Sequence, residues 1–282
     1  MTTIEQLKEE IAKIKAENPK LRSVDLAHKA GISEAELTSL SAGNGLVTKL
    51  RPDWKHLLLN LEPLGKIMAL TRNTFCVHER KGVYKNVEFY EGAHNMGVAV
   101  NPDIDLRFFM SQWHYGFAVT LERGKMPTLY SFQFFNENGE AVHKIYSTQK
   151  SDVDYYHKLV ADFKAEDQEP LVSLPKAAPK DRSELPDESI DVAAFQQDWI
   201  DLKDTHHFFG MLRKYELSRT QAFRLAPKGY TQQVDNQAVI KMLEKVAKEE
   251  IPIMCFLHSK GCVQIHTGAV KKLKWFGNWY NI

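Results

Sequence analysis

The stretch from residue 75 to residue 147 constrains the fold more than any other part of the chain. Short β-rich runs follow one another in it, at 75–78, 82–90, 97–100, 106–110, 113–121, 129–135 and 143–147. The joints between them are short and contain the usual turn residues Gly, Pro, Asn and Asp. Such joints cannot hold the crossover helices that parallel strands need, so the pattern predicts a mainly antiparallel meander.

Apolar residues at helical spacing flank this meander on both sides. They predict helices at 4–16, at two short segments within 20–40, from Pro52 to near Gly65, at 152–163 and at 236–248, with further strands at 253–257 and 261–267. Runs of strands with helices segregated around them are typical of the α+β class, which we therefore expect.

Residues 21–37 have the apolar spacing and central glycine, Gly31, of a helix-turn-helix. The helix that would read DNA carries Glu34 and Glu36 and has no Lys or Arg, so it would repel phosphate. We therefore interpret this segment as a packing device and do not expect a DNA partner.

Residues 165–191 differ in character from the segments around them. They carry four prolines and many charges with little periodicity, which is typical of a linker. We expect a first unit at 1–164, a linker at 165–192 and a second unit at 193–282.

Charge and cysteine usage restrict the class of protein. Lys and Arg number 37 against 36 Asp and Glu, so nothing suggests a protein that lives on phosphate contacts. The amino terminus lacks the apolar core of a signal peptide and no run is long enough to span a bilayer, which predicts a cytoplasmic protein. Three cysteines without a C-x-x-C pair, and histidines without zinc-type spacing, favour a metal that arrives inside a cofactor.

A helix predicted over 195–215 carries a histidine on its apolar stripe. The residues of that stripe are Phe195, Trp199, Leu202, His206 and Phe209. His207 lies about 100° further round, on a more mixed surface. Two interpretations of His206 remain open from the helix alone: a buried core histidine, or an axial ligand to a haem iron in an aromatic-walled pocket.

A short internal repeat suggests a duplicated unit. The segment C-V-H-E-R-K-G at 76–82 aligns without a gap with C-F-L-H-S-K-G at 255–261, each read as a strand followed by a Lys-Gly turn. The second copy has far fewer residues after that turn than the first. We therefore expect either a truncated sequence or a dimer that covers a free apolar edge strand.

Several ordered motifs together resemble the HemS/ChuS/ShuS family of haem-utilisation proteins, which includes HmuS and is also called the hemin-degrading factors. They are N-P-D-I-D-L-R-F-F at 101–109, D-T-H-H-F-F at 204–209, L-S-R-T-Q-A-F at 217–223, I-M-C-F at 253–256 and K-G-C-V-Q-I-H-T-G at 260–268. The resemblance implies a tandem duplication of an antiparallel sheet unit with flanking helices, incomplete in its second repeat here, and one haem bound in a cleft between the halves.

The same resemblance assigns roles to four residues. His206 falls on the proximal iron ligand and Arg107 on the distal arginine, which would also be the catalytic residue. Arg219 falls on an arginine that neutralises a haem propionate, and Phe256 on an aromatic contact of the distal face. Each role suits the chemistry of its side chain, since imidazole donates a lone pair to iron and guanidinium binds carboxylates or bound water.

The function implied is binding of imported haem followed by ring opening and iron release, with non-enzymatic carriage or storage of haem as the alternative. Whether the chain is an enzyme stays open at this point. The expected partners are haem, an inner-membrane haem transporter and an electron donor, and the expected state is a monomer or a homodimer.

Overall fold

The computed structural model describes residues 3–92, 95–176 and 184–282. Part of the predicted turn at 91–95 and the middle of the predicted linker, 177–183, lie outside the described residues. The chain forms two compact units, Met1–Ala177 with Glu250–Val270 and Ala178–Glu249 with Lys271–Ile282. These units do not coincide with the predicted sequence repeats, because residues 250–270 pack with the first unit.

The helices agree in most places with the predicted segments. They are α1 (Ile4–Glu17), α2 (Ser23–Lys29), α3 (Glu34–Ser39), α4 (Trp54–Leu59), α5 (Val153–Phe163), α6 (Val192–Ile200), α7 (Phe208–Lys214), α8 (Arg219–Leu225) and α9 (Ala238–Lys248). Helix α4 is shorter than predicted, since it ends at Leu59 and a separate 3-10 turn, Glu62–Leu64, follows it. Within the described ranges, no helix is long and apolar enough to cross a bilayer.

The first strand lies earlier in the chain than the first predicted run at 75–78, since β1 begins at Val47. The strands are β1 (Val47–Lys49), β2 (Gly65–Arg72), β3 (Val77–Gly82), β4 (Val87–Tyr90), β5 (Met96–Val100), β6 (Asp105–Phe109), β7 (Tyr115–Arg123), β8 (Met126–Phe135), β9 (Ala141–Ser151), β10 (Pro252–His258), β11 (Cys262–Ala269), β12 (Lys274–Phe276) and β13 (Trp279–Asn281). The sequence patterns missed β1, β2, β12 and β13. All ladders between named strands are antiparallel, as predicted.

The predicted single meander divides into two sheets in the first unit. One has the order β1-β7-β8-β9-β2-β3 and the other the order β10-β11-β6-β5-β4. The hairpin β10–β11 thus extends a sheet that residues 87–109 begin, with Val263 opposite Arg107. The Trp113 indole Nε1–H donates to the Gly261 carbonyl at 2.8 Å and anchors the hairpin turn.

The two Lys-Gly segments of the predicted repeat occupy different positions. Lys260 and Gly261 lie in the turn between β10 and β11, but Lys81 and Gly82 lie inside β3, so the predicted turn at 81–82 is wrong. Gly82 is there because of close packing: a Cβ at this position would lie 2.6 Å from the Cβ of Asp103.

The core of the first unit lies between the two sheets and beneath α4 and α5. It contains, among others, Trp54, Leu57, Leu58, Phe108, Trp113, Phe132, Phe134, Leu159 and Cys262. The Trp54 indole N–H donates to the Trp113 carbonyl at 2.9 Å, so the most polar atom of this buried ring is satisfied.

The helix-turn-helix segment is packed through its glutamates. Glu34, at the start of α3, is buried and accepts from Lys144 at 2.7 Å and from Arg72 at 2.5 Å, both on the sheet beneath. Burial alone would raise the pKa of Glu34, but the two cations outweigh it and the pKa lies below its ordinary value. Glu34, one of the two glutamates that argued against DNA reading, therefore attaches α3 to the sheet.

A second group of buried polar side chains surrounds His143 on β9. The Thr71 hydroxyl lies 2.8 Å from the imidazole Nδ1, and the Tyr84 hydroxyl forms a short hydrogen bond with Nε2. The ring is fully buried, no carboxylate of the described residues lies against it, and burial lowers the pKa of His143 to about 3. The folded protein therefore holds this imidazole neutral.

We expect this histidine to make the protein acid-sensitive. The unfolded chain takes up a proton at His143 near pH 6.5 and the folded chain only near 3, so stability is lost as the pH falls below 6.5. From pH 6.5 to 4.5 the loss is about 2 to 3 kcal/mol. Denaturant unfolding followed by tryptophan fluorescence across this range tests it. The variant His143→Gln should show a shallower decline; equal slopes for variant and wild type would contradict the assignment.

Candidate functional site

The helix predicted over 195–215 is interrupted, so that prediction is wrong. Helix α6 ends at Ile200, and a 3-10 turn, Thr205–His207, precedes α7. Asp204 has extended backbone angles, φ −142° and ψ 130°, and its side chain accepts from the His206 backbone N–H. Aspartate favours such capping positions over a helix interior, and this preference ends the predicted helix.

The interruption changes which side chains face inward. Phe195 remains buried, together with Met211, Leu212, Leu217 and Ala222 of the second unit's own core. His206 and Phe209 no longer share that face: the His206 side chain is 90% exposed and Phe209 is 54% exposed. This exposure contradicts the predicted burial of His206 and excludes its interpretation as a core histidine.

Asp204 holds the imidazole of His206 in one orientation. One carboxylate oxygen, Oδ1, accepts from the His206 backbone N–H at 2.8 Å and lies 2.6 Å from the ring Nδ1. These two bonds, the backbone one first, lower the pKa of Asp204, which therefore stays ionised. A carboxylate at Nδ1 favours the tautomer with its proton there, which leaves the Nε2 lone pair directed away from the aspartate.

This arrangement is the one that metal-binding histidines use. Such histidines donate their second ring N–H to a carboxylate, which fixes the ring and raises the basicity of the other nitrogen. Within the described part of the chain, no group of three or more His, Cys, Asp or Glu side chains could hold a metal ion by itself. The Nε2 atom of His206 is a nitrogen donor that Asp204 does not occupy.

An open depression adjoins the two histidines. Its volume is about 420 Å³, and its lining residues are Asp198, Leu202, His206, His207, Gly210, Met211 and Arg213. Gly210 has no side chain to fill this space, while Leu202 and Met211 supply apolar wall. The depression thus offers an apolar floor beside an imidazole, with charged residues at its rim.

Arg219 lies over exposed aromatic rings of the same unit. Its guanidinium carbon is 5.2 Å from the ring centroid of Phe209 and 6.0 Å from that of Phe223. Arg219 begins α8, whose cap is Ser218. Stacking on two rings orients a guanidinium without consuming its N–H donors, so they remain available to a carboxylate. Phe209, which Arg219 contacts, follows His206 by three residues in the sequence.

Arg107 and Phe256 lie on one face of the five-stranded sheet in the first unit. Arg107 is opposite Val263, and Phe256 is opposite Ile265, which is opposite Asp105. Residues directly opposite in antiparallel strands share a face. The opposite face carries Leu106 and Phe108, which are buried, so the Arg107 face is the more open one.

The Arg107 side chain is held near the sheet surface. Its Nη1 donates to the Asp105 carboxylate on the same face and to the Leu106 carbonyl at 3.1 Å. Phe256 is 60% exposed, and Met254 beside it on the same strand is 56% exposed. The face therefore combines exposed apolar side chains with one oriented guanidinium, which is what a flat, largely apolar ligand with a polar centre would contact.

The four predicted site residues thus fall into two pairs. Arg107 and Phe256 share one face of the five-stranded sheet in the first unit. In the second unit, His206 lines the depression and Arg219 lies over Phe209. The side chains fit a haem chemically: a free imidazole nitrogen for iron, aromatic and aliphatic surface for the macrocycle, and stacked guanidinium for a carboxylate.

Comparison with known proteins identifies the family. The sequence profile of the haemin-degrading HemS.ChuX domain matches residues 31–163 and 216–282. The chain belongs to this family. The hemin transport protein HmuS of Yersinia pestis is 35% identical over 277 residues, which are 98% of this chain and 78% of HmuS.

Two solved structures of this family are similar over almost the whole chain. Holo-PhuS, a heme-binding protein from Pseudomonas aeruginosa, matches with a TM-score of 0.92 and 41% identity, covering 99% of this chain and 80% of that one. The heme degrading enzyme ChuS from Escherichia coli O157:H7 matches with a TM-score of 0.84 and 30% identity, with the same coverage. The two separate profile matches confirm the duplicated α+β fold, with a second repeat that is only partly present.

The site residues predicted from the sequence did not include Asp204, and the stacking of Arg219 on aromatic rings was not predicted. The signal for Asp204 was present, because an aspartate two residues before a histidine at a helix start is a common capping pattern. The contact of Arg219 with Phe223 is an i,i+4 pair within α8 and so had a local signal, whereas Phe209 lies on α7 and its contact with Arg219 had none.

Proposed function

We propose that this chain binds haem and takes part in haem-iron utilisation, with His206 as the axial ligand to the iron. The observation that carries the proposal is the Asp204 carboxylate at 2.6 Å from Nδ1 of an exposed imidazole. A metal-binding histidine gains a fixed direction from such a carboxylate, and His206 also lines the open depression.

Arg219 is proposed to bind a propionate of the same haem. Its guanidinium is exposed and stacked on Phe209, so it is already oriented before a ligand arrives. A carboxylate that accepts from two guanidinium N–H groups is bound with direction as well as charge. Phe209 itself would contribute aromatic surface near the iron ligand.

Arg107 and Phe256 are proposed to act on the distal side of the haem. Arg107 would hold a small polar ligand or water by directed N–H bonds, and Phe256 would contribute exposed ring surface. Asp105 shares the guanidinium of Arg107 and would fix its direction. Bound haem supplies the iron at which oxygen chemistry takes place; the side chains supply position and polarity.

We propose haem degradation as the activity and haem carriage as the alternative. Degradation by oxidative ring opening needs dioxygen and electrons from a separate donor, and it releases the iron. The relatives support both functions, since one is described as a heme degrading enzyme and another as a heme-binding protein. We also propose that the protein acts in the cytoplasm, receives haem from an inner-membrane transporter and, for degradation, meets an electron donor.

An assay under air with a reductant separates the two activities. Hemin is first titrated to a saturable Soret band, and ascorbate with catalase is then added. Degradation predicts steady loss of the Soret band, a verdin-like product and iron that ferrozine detects. Carriage predicts an unchanged spectrum in a preparation that still binds hemin. Absence of any saturable Soret band would overturn the haem-binding proposal itself.

Replacing Asp204 should weaken binding without removing the ligand. We expect Asp204→Ala to raise the Kd for hemin by about 10- to 100-fold, because the ring of His206 loses the carboxylate that fixes its orientation. Asp204→Asn, which can still accept from the backbone N–H, should lie between that variant and the wild type. Asp201→Ala, at an exposed aspartate of the preceding loop, is the matched control and should bind as the wild type does. Equal affinity for all three variants would contradict the role of Asp204.

A further inference from the structure

The last part of the predicted linker is bound to helix α8. This acidic segment, residues 184–189, reads E-L-P-D-E-S and belongs to the second compact unit. The side chain of Gln221, on α8, is fully buried against it. Its Nε2 donates to the Leu185 carbonyl at 2.6 Å and to Asp187 Oδ1 at 2.8 Å. The segment is therefore part of the structure that holds α8.

Arg224 binds both carboxylates that the acidic segment turns toward α8. Its Nε donates to Asp187 Oδ2 at 3.0 Å and its Nη2 to Asp187 Oδ1 at 2.9 Å, a two-point contact that fixes the plane of the guanidinium. The same Nη2 donates to Glu184 Oε2 at 2.9 Å. The other carboxylate oxygen of Glu184 accepts from the hydroxyl of Ser218, the N-cap of α8.

These contacts keep both carboxylates ionised. The bonds from Arg224 and then from Gln221 lower the pKa of Asp187 to about 2. The bonds from Ser218 and then from Arg224 lower the pKa of Glu184 below its ordinary value. Two negative charges therefore lie beside α8 at neutral pH, and Arg224 is the cation that binds both.

Helix α8 places Arg219 on a different side from these charges. At 100° per residue, Gln221 lies about 200° and Arg224 about 140° round the helix from Arg219, whereas Phe223 lies about 40° from it. The rings of Phe209 and Phe223 contact the Arg219 guanidinium on that side. Among the described residues, no carboxylate forms an ion pair with it. The two arginines of α8 thus differ in whether a carboxylate of this part of the chain neutralises them.

We propose that Arg224 is a positioning residue: by binding Glu184 and Asp187, it keeps Arg219 available to a carboxylate of the ligand. This inference rests on the proposed role of Arg219 at a haem propionate. Without Arg224, the two carboxylates of the acidic segment become competitors for Arg219. The inference therefore concerns which negative charge Arg219 binds.

Glu184 is close enough to compete. It is bound to Ser218, which directly precedes Arg219, and consecutive Cα atoms lie only about 3.8 Å apart. Rotation of the Arg219 side chain would therefore bring its guanidinium to the Glu184 carboxylate. A tethered competitor of this kind has an effective concentration of roughly a millimolar. Hemin titrated at lower concentrations would meet an arginine that is already occupied.

Absorption titration of hemin into Arg224→Ala tests the proposal. We expect the Kd to rise by about tenfold, as for the loss of one hydrogen-bonded charge pair. In the triple variant Arg224→Ala, Glu184→Gln, Asp187→Asn the Kd should return to within about twofold of the wild type, because no competing charge remains. If Arg224 only held the fold of α8, the two further substitutions would loosen the acidic segment more and could not restore binding.

Hemin dimethyl ester provides a second readout. Its esterified propionates carry no charge, so Arg219 gains no ion pair from it. Titrated in the same detergent-containing buffer, the ester should bind the wild type and Arg224→Ala with equal Kd, while free hemin distinguishes them. Equal weakening for hemin and its ester would show a general disturbance of the site and would overturn the proposal.

Arg51→Ala is the matched control. Arg51 lies 3.7 Å from the Asp53 carboxylate in the first unit, and its side chain is 50% exposed, as against 49% for Arg224. It should bind hemin as the wild type does. If circular dichroism shows that Arg224→Ala does not fold, Arg224→Lys decides. An ammonium cannot form the two-point contact with Asp187, so a smaller rise in Kd is expected, again reversed by Glu184→Gln and Asp187→Asn.

Arg219→Ala separates the failure of this inference from that of the proposed function. If that variant binds hemin as the wild type does, the propionate role of Arg219 is itself wrong. If it binds hemin more weakly while a folded Arg224 variant binds normally, the inference about Arg224 alone is overturned. The same holds if the triple variant binds no better than Arg224→Ala.

Discussion

Replacement of His206 by alanine is expected to abolish the Soret shift that marks axial histidine ligation and to raise the Kd for hemin by at least about 100-fold, beyond the loss expected for a supporting residue. The reason is the loss of the one nitrogen that Asp204 keeps free and directed outward. The apolar and guanidinium contacts would remain, so we expect the variant to bind hemin weakly and with an altered absorption spectrum. Absorption titration, with resonance Raman spectra of the bound iron, measures both effects.

His207→Ala is the matched control for this substitution. His207 lines the same depression and is exposed, but no carboxylate among the described residues forms a hydrogen bond with its ring. It should bind hemin with nearly wild-type affinity and spectrum. If His206→Ala binds unchanged while His207→Ala does not, the ligand is the neighbouring histidine and the role of Asp204 is wrong.

Glu34→Ala is expected to lower the free energy of unfolding by about 3 to 5 kcal/mol, because it leaves two cations without a partner under α3. The Lys144 side chain is only 7% exposed and that of Arg72 16%, so water cannot replace the carboxylate. Helix α3 should detach locally as well. Denaturant unfolding monitored by tryptophan fluorescence gives the free energy, and hydrogen exchange over residues 34–39 reports the local effect.

Asp25→Ala provides the comparison for an exposed ion pair. Asp25 binds Arg22 at 2.7 Å, but both side chains are largely exposed. Its loss should cost about 1 kcal/mol or less. Equal losses for the Asp25 and Glu34 variants would show that burial of the Glu34 cluster adds nothing to its contribution.

Local patterns predicted where most strands lie and not which sheet they join. The runs between 75 and 147 were recognisable because alternation and turn residues are encoded within a few positions. The second sheet contains β4, β5 and β6 together with β10 and β11, which lie more than a hundred residues later in the sequence. A local pattern could not predict that these strands share a sheet. Strand β2 was missed because G-K-I-M-A-L-T-R directly follows the pattern that predicted a helix up to about Gly65.

The site shows a similar division between local and distant information. Periodicity selected His206 but predicted its burial, because a single unbroken helix was assumed through Asp204. The family resemblance selected the same residue for its chemistry, and its exposure is compatible with that role. The sharing of one sheet face by Arg107 and Phe256 could not be read locally, since it follows from the register of β10, β11 and β6.

The pairing of β11 with β6 also determines how late in synthesis the five-stranded sheet can be completed. During synthesis, β6 emerges with one edge uncovered and must wait until residue 269 has left the ribosome before its neighbour exists. Pairing across so long a separation is slow, and an uncovered edge is open to wrong partners in the interval. A fragment ending at residue 164 would stay in that state permanently, so recombinant halves divided at the linker should aggregate where the full chain does not.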